Sequence, residues 1–279
     1  MKRAVRVEVE DGLALHAVVS EGDGPPVLLV HGLSSNLRLW DGVADRLAEL
    51  GHCVLAVDLR GHGRSDKPDT GYEVAQVADD LVSVIASMGT PPVVAGQSWG
   101  GNVVLELAHR HPGLMAAVAL VDGGWIELSE RFEGWEACRR ALGPPPTEGL
   151  AAEAVEALLR RTHPDWPEEG IAGAMACFEH RADGTVAPWL TLDRHLLALR
   201  GLWEHRPSGH YGGIEVPVLL VPADTGDAAW TAAKRVEVVA AEEQLPRSRT
   251  HWVRGDHDLH AQHPRLVADL FHELAPSPA

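Results

Sequence analysis

Val93 to Gly101, VVAGQSWGG, constrains this chain more than any other stretch. Three apolar residues run into Gly96-Gln97-Ser98-Trp99-Gly100, and Asn102 to Ala108 then carries apolar residues at helical spacing. Ser98 therefore sits where a buried strand turns directly into a helix. The glycines two residues before and after it remove side chains where so sharp a turn crowds its neighbours, and allow a strained backbone that exposes the hydroxyl. A helix N-terminus behind that hydroxyl favours developing negative charge.

The rest of the chain supplies a sheet around this turn. Val5 to Val9 alternates in strand fashion, Asp11-Gly12 is a hairpin signal, and Leu13 to Val19 alternates again, which predicts an opening antiparallel hairpin. Val27-Leu28-Leu29-Val30 is continuously apolar, as a strand covered on both faces should be, and ends at His31-Gly32-Leu33. Leu39 to Leu50 reads as an amphipathic helix stopped at Gly51, Cys53 to Val57 as a buried strand running into Asp58-Leu59-Arg60-Gly61-His62-Gly63-Arg64-Ser65, and Val74 to Met88 as a helix. Val118 to Val121 is a further buried strand, ending at Asp122-Gly123-Gly124.

From Trp125 the pattern changes. Helical segments such as Ala151 to Arg161 and Leu190 to Leu202 are broken by proline clusters at Pro144-Pro145-Pro146 and Pro164-Asp165-Trp166-Pro167, with no clear buried strand. Strand character returns at Val216 to Val221, then a helix around Thr231 to Ala241, a strand near Arg249 to Val253, and a helix from Pro264 to Leu274. The tail, Ala275 to Ala279, is expected to fray. Alternating strands and helices predict an α/β fold with a mostly parallel central sheet of about eight strands, helices on both faces, and a helical lid inserted after the sixth strand. In residue terms, 1–124 and 214–279 form the core and 125–213 the lid.

A chain of 279 residues suits one such domain with an insertion. Its formal net charge of −16 argues against nucleic acid or an anionic membrane surface as partner, because both need clustered Lys and Arg. No stretch has the apolar length of a signal peptide or a membrane span, so a cytoplasmic location is expected. Three cysteines without metal-like spacing predict neither a disulfide framework nor a cysteine metal site. They read as small hydrophobes.

A serine hydroxyl is a weak nucleophile and needs a base within hydrogen-bond reach, usually a histidine oriented by a third group. Of sixteen histidines, His257 is the best placed, in the loop Gly255-Asp256-His257-Asp258 after the last strand. With His31-Gly32 at a strand end, the DLRGHGRS turn at Asp58 to Ser65, GxSxG at Gly96 to Gly100, and GxH before the final helix, in that order, the chain resembles the α/β-hydrolase family. The resemblance spans most of the chain outside the insertion. It implies the α/β-hydrolase fold, Ser98 as nucleophile, His257 as general base, and an oxyanion hole made by the backbone N–H groups of Leu33 and Trp99.

It leaves the acid open. Asp227 lies 30 residues before His257, the spacing common in the family, and is the first expectation. Asp122, at the strand before the lid, is the alternative, followed by Asp224. His31, Trp125 and His195 are candidates for the substrate pocket, although His31 also reads as a structural hydrogen-bonder. Tryptophans at 99, 125, 135, 166, 189 and 203 suggest an apolar pocket, with Trp99 the foremost candidate for its wall.

The resemblance thus implies a serine hydrolase of a small to medium, largely apolar ester, thioester or lactone, working through an acyl-enzyme as a monomer or homodimer, without cofactor or metal. Cofactor-free peroxide chemistry and carbon–carbon bond hydrolysis use the same three residues and remain alternatives, as does a ligand-binding protein that has lost turnover. A metal site built from His257, Asp258, His260 and His263 is a weaker reading, since no further ligands stand out.

Overall fold

The apolar runs become strands of one eight-stranded sheet in the computed structural model, which describes residues 2–276. The first six are β1 (Lys2–Glu8), β2 (Ala14–Ser20), β3 (Gly24–Val30), β4 (His52–Val57), β5 (Val93–Gln97) and β6 (Ala117–Val121). A short hairpin, β7 (Phe178–His180) and β8 (Val186–Pro188), lies inside the insertion. After it come β9 (Val218–Val221), the two-residue β10 (Ala223–Asp224), β11 (Ser248–Thr250) and β12 (Val253–Arg254). The sheet order is β1-β2-β4-β3-β5-β6-β9-β11. The β1–β2 and β2–β4 pairs are antiparallel, and every other pair in this sheet is parallel.

Alternation along β3 explains why its sequence is apolar throughout. Leu28 and Val30 pack with α2 (Val74–Ala86) and α3 (Trp99–Arg110), whereas Val27 and Leu29 pack on the other face with α1 (Asp41–Glu49) and α11 (Pro264–Leu274). All four strand residues have no solvent exposure. A strand sandwiched in this way has no solvent face to mark with polar residues.

Between β6 and β9 the chain leaves the sheet for residues 125–213. This insert holds α4 (Leu128–Arg131), α5 (Trp135–Leu142), α6 (Ala152–Thr162), α7 (Glu168–Met175) and α8 (Leu192–Glu204). Helices α9 (Ala228–Gln244), α10 (Leu259–Gln262) and α11 follow in the core. Ile171 and Ala174 of α7 pack with Leu39 and Ala261, anchoring the insert on the loops that follow β3 and β12. Its return is tied to α3, where Asn102 donates to His205 Nδ1 at 3.0 Å and His205 Nε2 donates to Glu106 at 3.1 Å.

The insert is not wholly helical, as the sequence suggested. The β7–β8 hairpin turns at Asp183-Gly184, with Gly184 at φ 83° and Asp183 accepting from the Thr185 N–H and hydroxyl. That Asp-Gly pair was the local signal for it. The expected strand from Arg249 to Val253 is split into β11 and β12, which matters for the site below. Part of the tail expected to fray, residues 277–279, lies outside the described residues. Among the described residues no helix is long and apolar enough to cross a membrane.

Candidate active site

Ser98 joins β5 to α3 with φ 54° and ψ −123°, outside the regions that L-residues prefer. Crowding around the turn keeps glycine at the two flanking positions. A Cβ on Gly96 would lie 2.3 Å from the carbonyl oxygen of Gly100, and one on Gly100 would lie 2.3 Å from that of His31. The Ser98 N–H donates to Val121 O at 2.9 Å, so the turn leans on the end of β6. Its side chain remains partly open to solvent.

The loop after β3 lies against this turn, since a Cβ on Gly32 would come within 3.2 Å of Ser98 Cβ. Two buried histidines hold it. His31 Nδ1 donates to Gly32 O at 2.7 Å and its Nε2 accepts from Leu59 N–H at 3.0 Å. His62 Nδ1 donates to Arg60 O at 2.9 Å, and its Nε2 accepts at 3.2 Å from the N–H of Ser34, itself at φ 59°. Each ring uses one nitrogen as donor and one as acceptor, an arrangement only the neutral imidazole can make. Burial lowers the pKa of His31 and pushes that of His62 down to about 3. The N–H groups of Leu33 and Trp99 have no protein acceptor among the described residues.

His257 lies in the loop after β12, where Gln97, the residue before Ser98, donates to its carbonyl at 3.2 Å. Its Nδ1 donates to Asp122 Oδ2 at 2.7 Å, which leaves Nε2 free to accept a proton. Loss of hydration is the largest single influence and disfavours the imidazolium, but the hydrogen bond to Asp122 and the charges of Asp258 and Asp122 together outweigh it, and the pKa is raised. Asp122 is 5% exposed and sits just past β6, at φ 43°. It also accepts from Ala223 N–H at 2.9 Å and from Lys234 Nζ at 2.6 and 2.8 Å. Burial alone would raise its pKa. The hydrogen bond from His257 and the Lys234 cation instead hold the carboxyl below the ordinary range.

The first expectation for the acid is therefore corrected in geometry. Asp227 does not meet His257 but caps α9, accepting from Trp230 N–H at 2.9 Å. Asp224 accepts from Gly226 N–H and the Thr231 hydroxyl, at 3.0 and 3.1 Å. Asp224 lies in β10, paired in parallel with β12, and Asp227 follows it at the start of α9. Lys234 had drawn no attention in the sequence, where it is one cation in a helix.

The pocket candidates also shift. His31 and Trp99 have no exposure and Trp125 has 3%; Trp99 stacks on His62, so its side chain is packing and not pocket wall. His195 is buried, accepting from Ser34 Oγ at 2.7 Å and donating to Leu142 O at 3.2 Å, a brace between the loop after β3 and the insert. None of these lines the cleft of about 630 Å3 that opens at Ser34 and Ser35, just past Leu33. That cleft is walled by Trp189, Leu190, Phe178 and Pro144, with Lys67 over the Trp189 ring at 5.1 Å. Of the suggested tryptophans, Trp189 is the one that lines it.

Glu106, His205 and His210 bring potential metal-ligand atoms within 4.8 Å of one another. Asn102 opposes that use. Its Oδ1 accepts from Gly124 N–H and its Nδ2 donates to Ile126 O, so the amide is oriented and its N–H must meet His205 Nδ1. The His205 proton is thereby placed on Nε2, the atom facing Glu106, and the group is a hydrogen-bonded clasp.

Comparison with known proteins agrees with this architecture. The family model for the alpha/beta hydrolase fold matches residues 25–146. A 2-(acetamidomethylene)succinate hydrolase from Mesorhizobium japonicum is 30% identical over 217 residues, covering 77% of this chain and 76% of that protein. A Mycobacterium tuberculosis protein is 38% identical over 192 residues, 68% of this chain, and the match spans about half of that relative, 52% of its length. Among solved structures, that of E-2-(acetamidomethylene)succinate hydrolase superposes with a TM-score of 0.80 at 26% identity, over 98% of this chain and 99% of the other. With sheet, turn and relatives in agreement, this chain belongs to the α/β-hydrolase fold family and takes its place among the hydrolases of that fold.

Proposed function

We propose that the protein is a serine hydrolase acting on an uncharged acyl bond, an ester, thioester or lactone, with Ser98, His257 and Asp122 as its triad. The observation that carries this reading is the 2.7 Å bond from His257 Nδ1 to a buried, ionised Asp122, in a loop hydrogen-bonded to the residue before Ser98. Ser98 Oγ attacks the carbonyl carbon while His257 Nε2 takes its proton. The N–H groups of Leu33 and Trp99 stabilise the oxyanion, the strongest electrostatic contribution such a site has available. His257 then protonates the leaving group, and water, deprotonated by the same imidazole, releases the acid from Ser98.

The insert acts as the lid, and its cleft beside Ser34 receives the substrate. Trp189, Leu190, Phe178 and the Pro144 segment favour a largely apolar group there. The relatives' name carries an acetamido group, so an activated amide belongs in the same substrate screen. A fluorophosphonate probe is expected to label Ser98 in the folded protein. Ser98→Ala is expected to abolish labelling and to lower ester or amide hydrolysis by about five orders of magnitude. An unlabelled, folded wild-type protein would point to a ligand-binding role instead.

A further inference from the structure

The end of β9 and the helix after it contribute a cation to the site in place of an acid. Lys234, on α9, is 8% exposed, and each of its protons has an acceptor: Asp122 Oδ1 at 2.6 Å, Asp122 Oδ2 at 2.8 Å and Ala223 O at 2.9 Å. Asp122 Oδ2 is the oxygen that also accepts from His257 Nδ1. A lysine whose donors are all used inside the protein is held in one geometry, and so is the carboxylate it grips. This grip has a counterpart in the backbone, since Asp122 itself sits at positive φ and Ala223 N–H completes the ring of contacts.

We infer that Lys234 is a positioning residue for the base: through Asp122 it fixes the oxygen that orients His257 and limits how strongly that carboxylate favours the imidazolium. The inference rests on the reading of Ser98, His257 and Asp122 as a triad. An isolated buried aspartate would give its full charge to the imidazole, whereas one shared with an ammonium a few ångströms away gives much less. Neutral His257 is the form that can take the proton from Ser98. Lys234 thus keeps the base in working form to lower pH than the aspartate alone would allow. The other titratable groups that bear on His257 are Asp258 in its own loop and the buried His260 of α10, which stays neutral, while Asp256 and its partner His163 from the insert act on Asp258. None of these touches Asp122, so the substitution of Lys234 isolates its contribution.

The test is an NMR titration of the His257 imidazole in the full-length protein, in wild type, Lys234→Met and Lys234→Gln. Loss of the cation is expected to raise the His257 pKa by about one pH unit, with the acid limb of kcat/KM moving up by the same amount. Lys234→Gln retains donors toward Asp122 and Ala223 and serves where the methionine variant fails to fold. Lys234→Arg, which keeps the charge, is expected to return the titration to near its wild-type position. An unchanged or lowered His257 pKa in the folded neutral variants overturns the inference. Because the imidazole is read directly, this result is independent of turnover. Failure of the triad reading shows separately, as absent fluorophosphonate labelling of Ser98.

Discussion

Two neighbouring strand ends offer an aspartate to the same histidine, and they differ in what surrounds the carboxylate. Past β6, Asp122 is buried, ionised and surrounded by donors from Ala223, Lys234 and His257. Past β9, Asp224 and Asp227 face outward and spend their oxygens on the local turn and the start of α9. A triad acid must stay charged while holding the imidazole in one tautomer, which requires fixed donors and exclusion of water. The β6 end supplies both. The β9 end instead supplies Ala223 N–H and Lys234, so the two ends cooperate on one carboxylate.

The contrast is most exposed to Asp122→Asn. That variant keeps the shape but presents an amide where His257 Nδ1–H requires an acceptor, and activity is expected to fall about 10^4-fold. A nearly normal rate, measured beside a severely impaired Asp227→Asn, would reverse the assignment. The next effect concerns pH. Because the His257 pKa is raised, the imidazole binds a proton, and ceases to act as base, at a pH above the ordinary imidazole value. The acid limb of wild-type kcat/KM is accordingly expected above about pH 6.5 and should be lost as pH falls through it. Smallest is Asp227→Ala, which removes a helix cap and is expected to destabilise the fold by about 1 kcal/mol in a denaturation experiment. Its hydrolytic rate should stay within about twofold of wild type, on the order of an ordinary surface change.

Which parts of this were legible in the chain follows from how local each determinant is. The turn at Ser98 is written in five consecutive residues, and the crowding at Gly96 and Gly100 accounts for why glycine stands there. His257 was legible because a loop after a last strand can be found from periodicity alone. The carboxylate that meets His257 was not, because aspartates stand past both strand ends and the sequence does not say which of them the fold brings to the imidazole. Lys234 was hidden in an amphipathic helix, where burial of one cation leaves no periodic trace. Trp99 and Trp125 are core rather than pocket wall because a residue near the site in sequence can still point inward, whereas the structural reading of His31 holds.

The brace from Ser34 to His195 carries a consequence for the modularity of this fold. Ser34 directly follows Leu33, stands at positive φ, and depends on a histidine contributed by α8 of the insert. Exchanging residues 125–213 for the insert of another member would change the cleft at Ser34 and Ser35 and, in the same stroke, remove the hydrogen bond from Ser34 to His195. A chimera therefore has to carry position 195 with it. The insert and the loop after β3 are inherited as a unit.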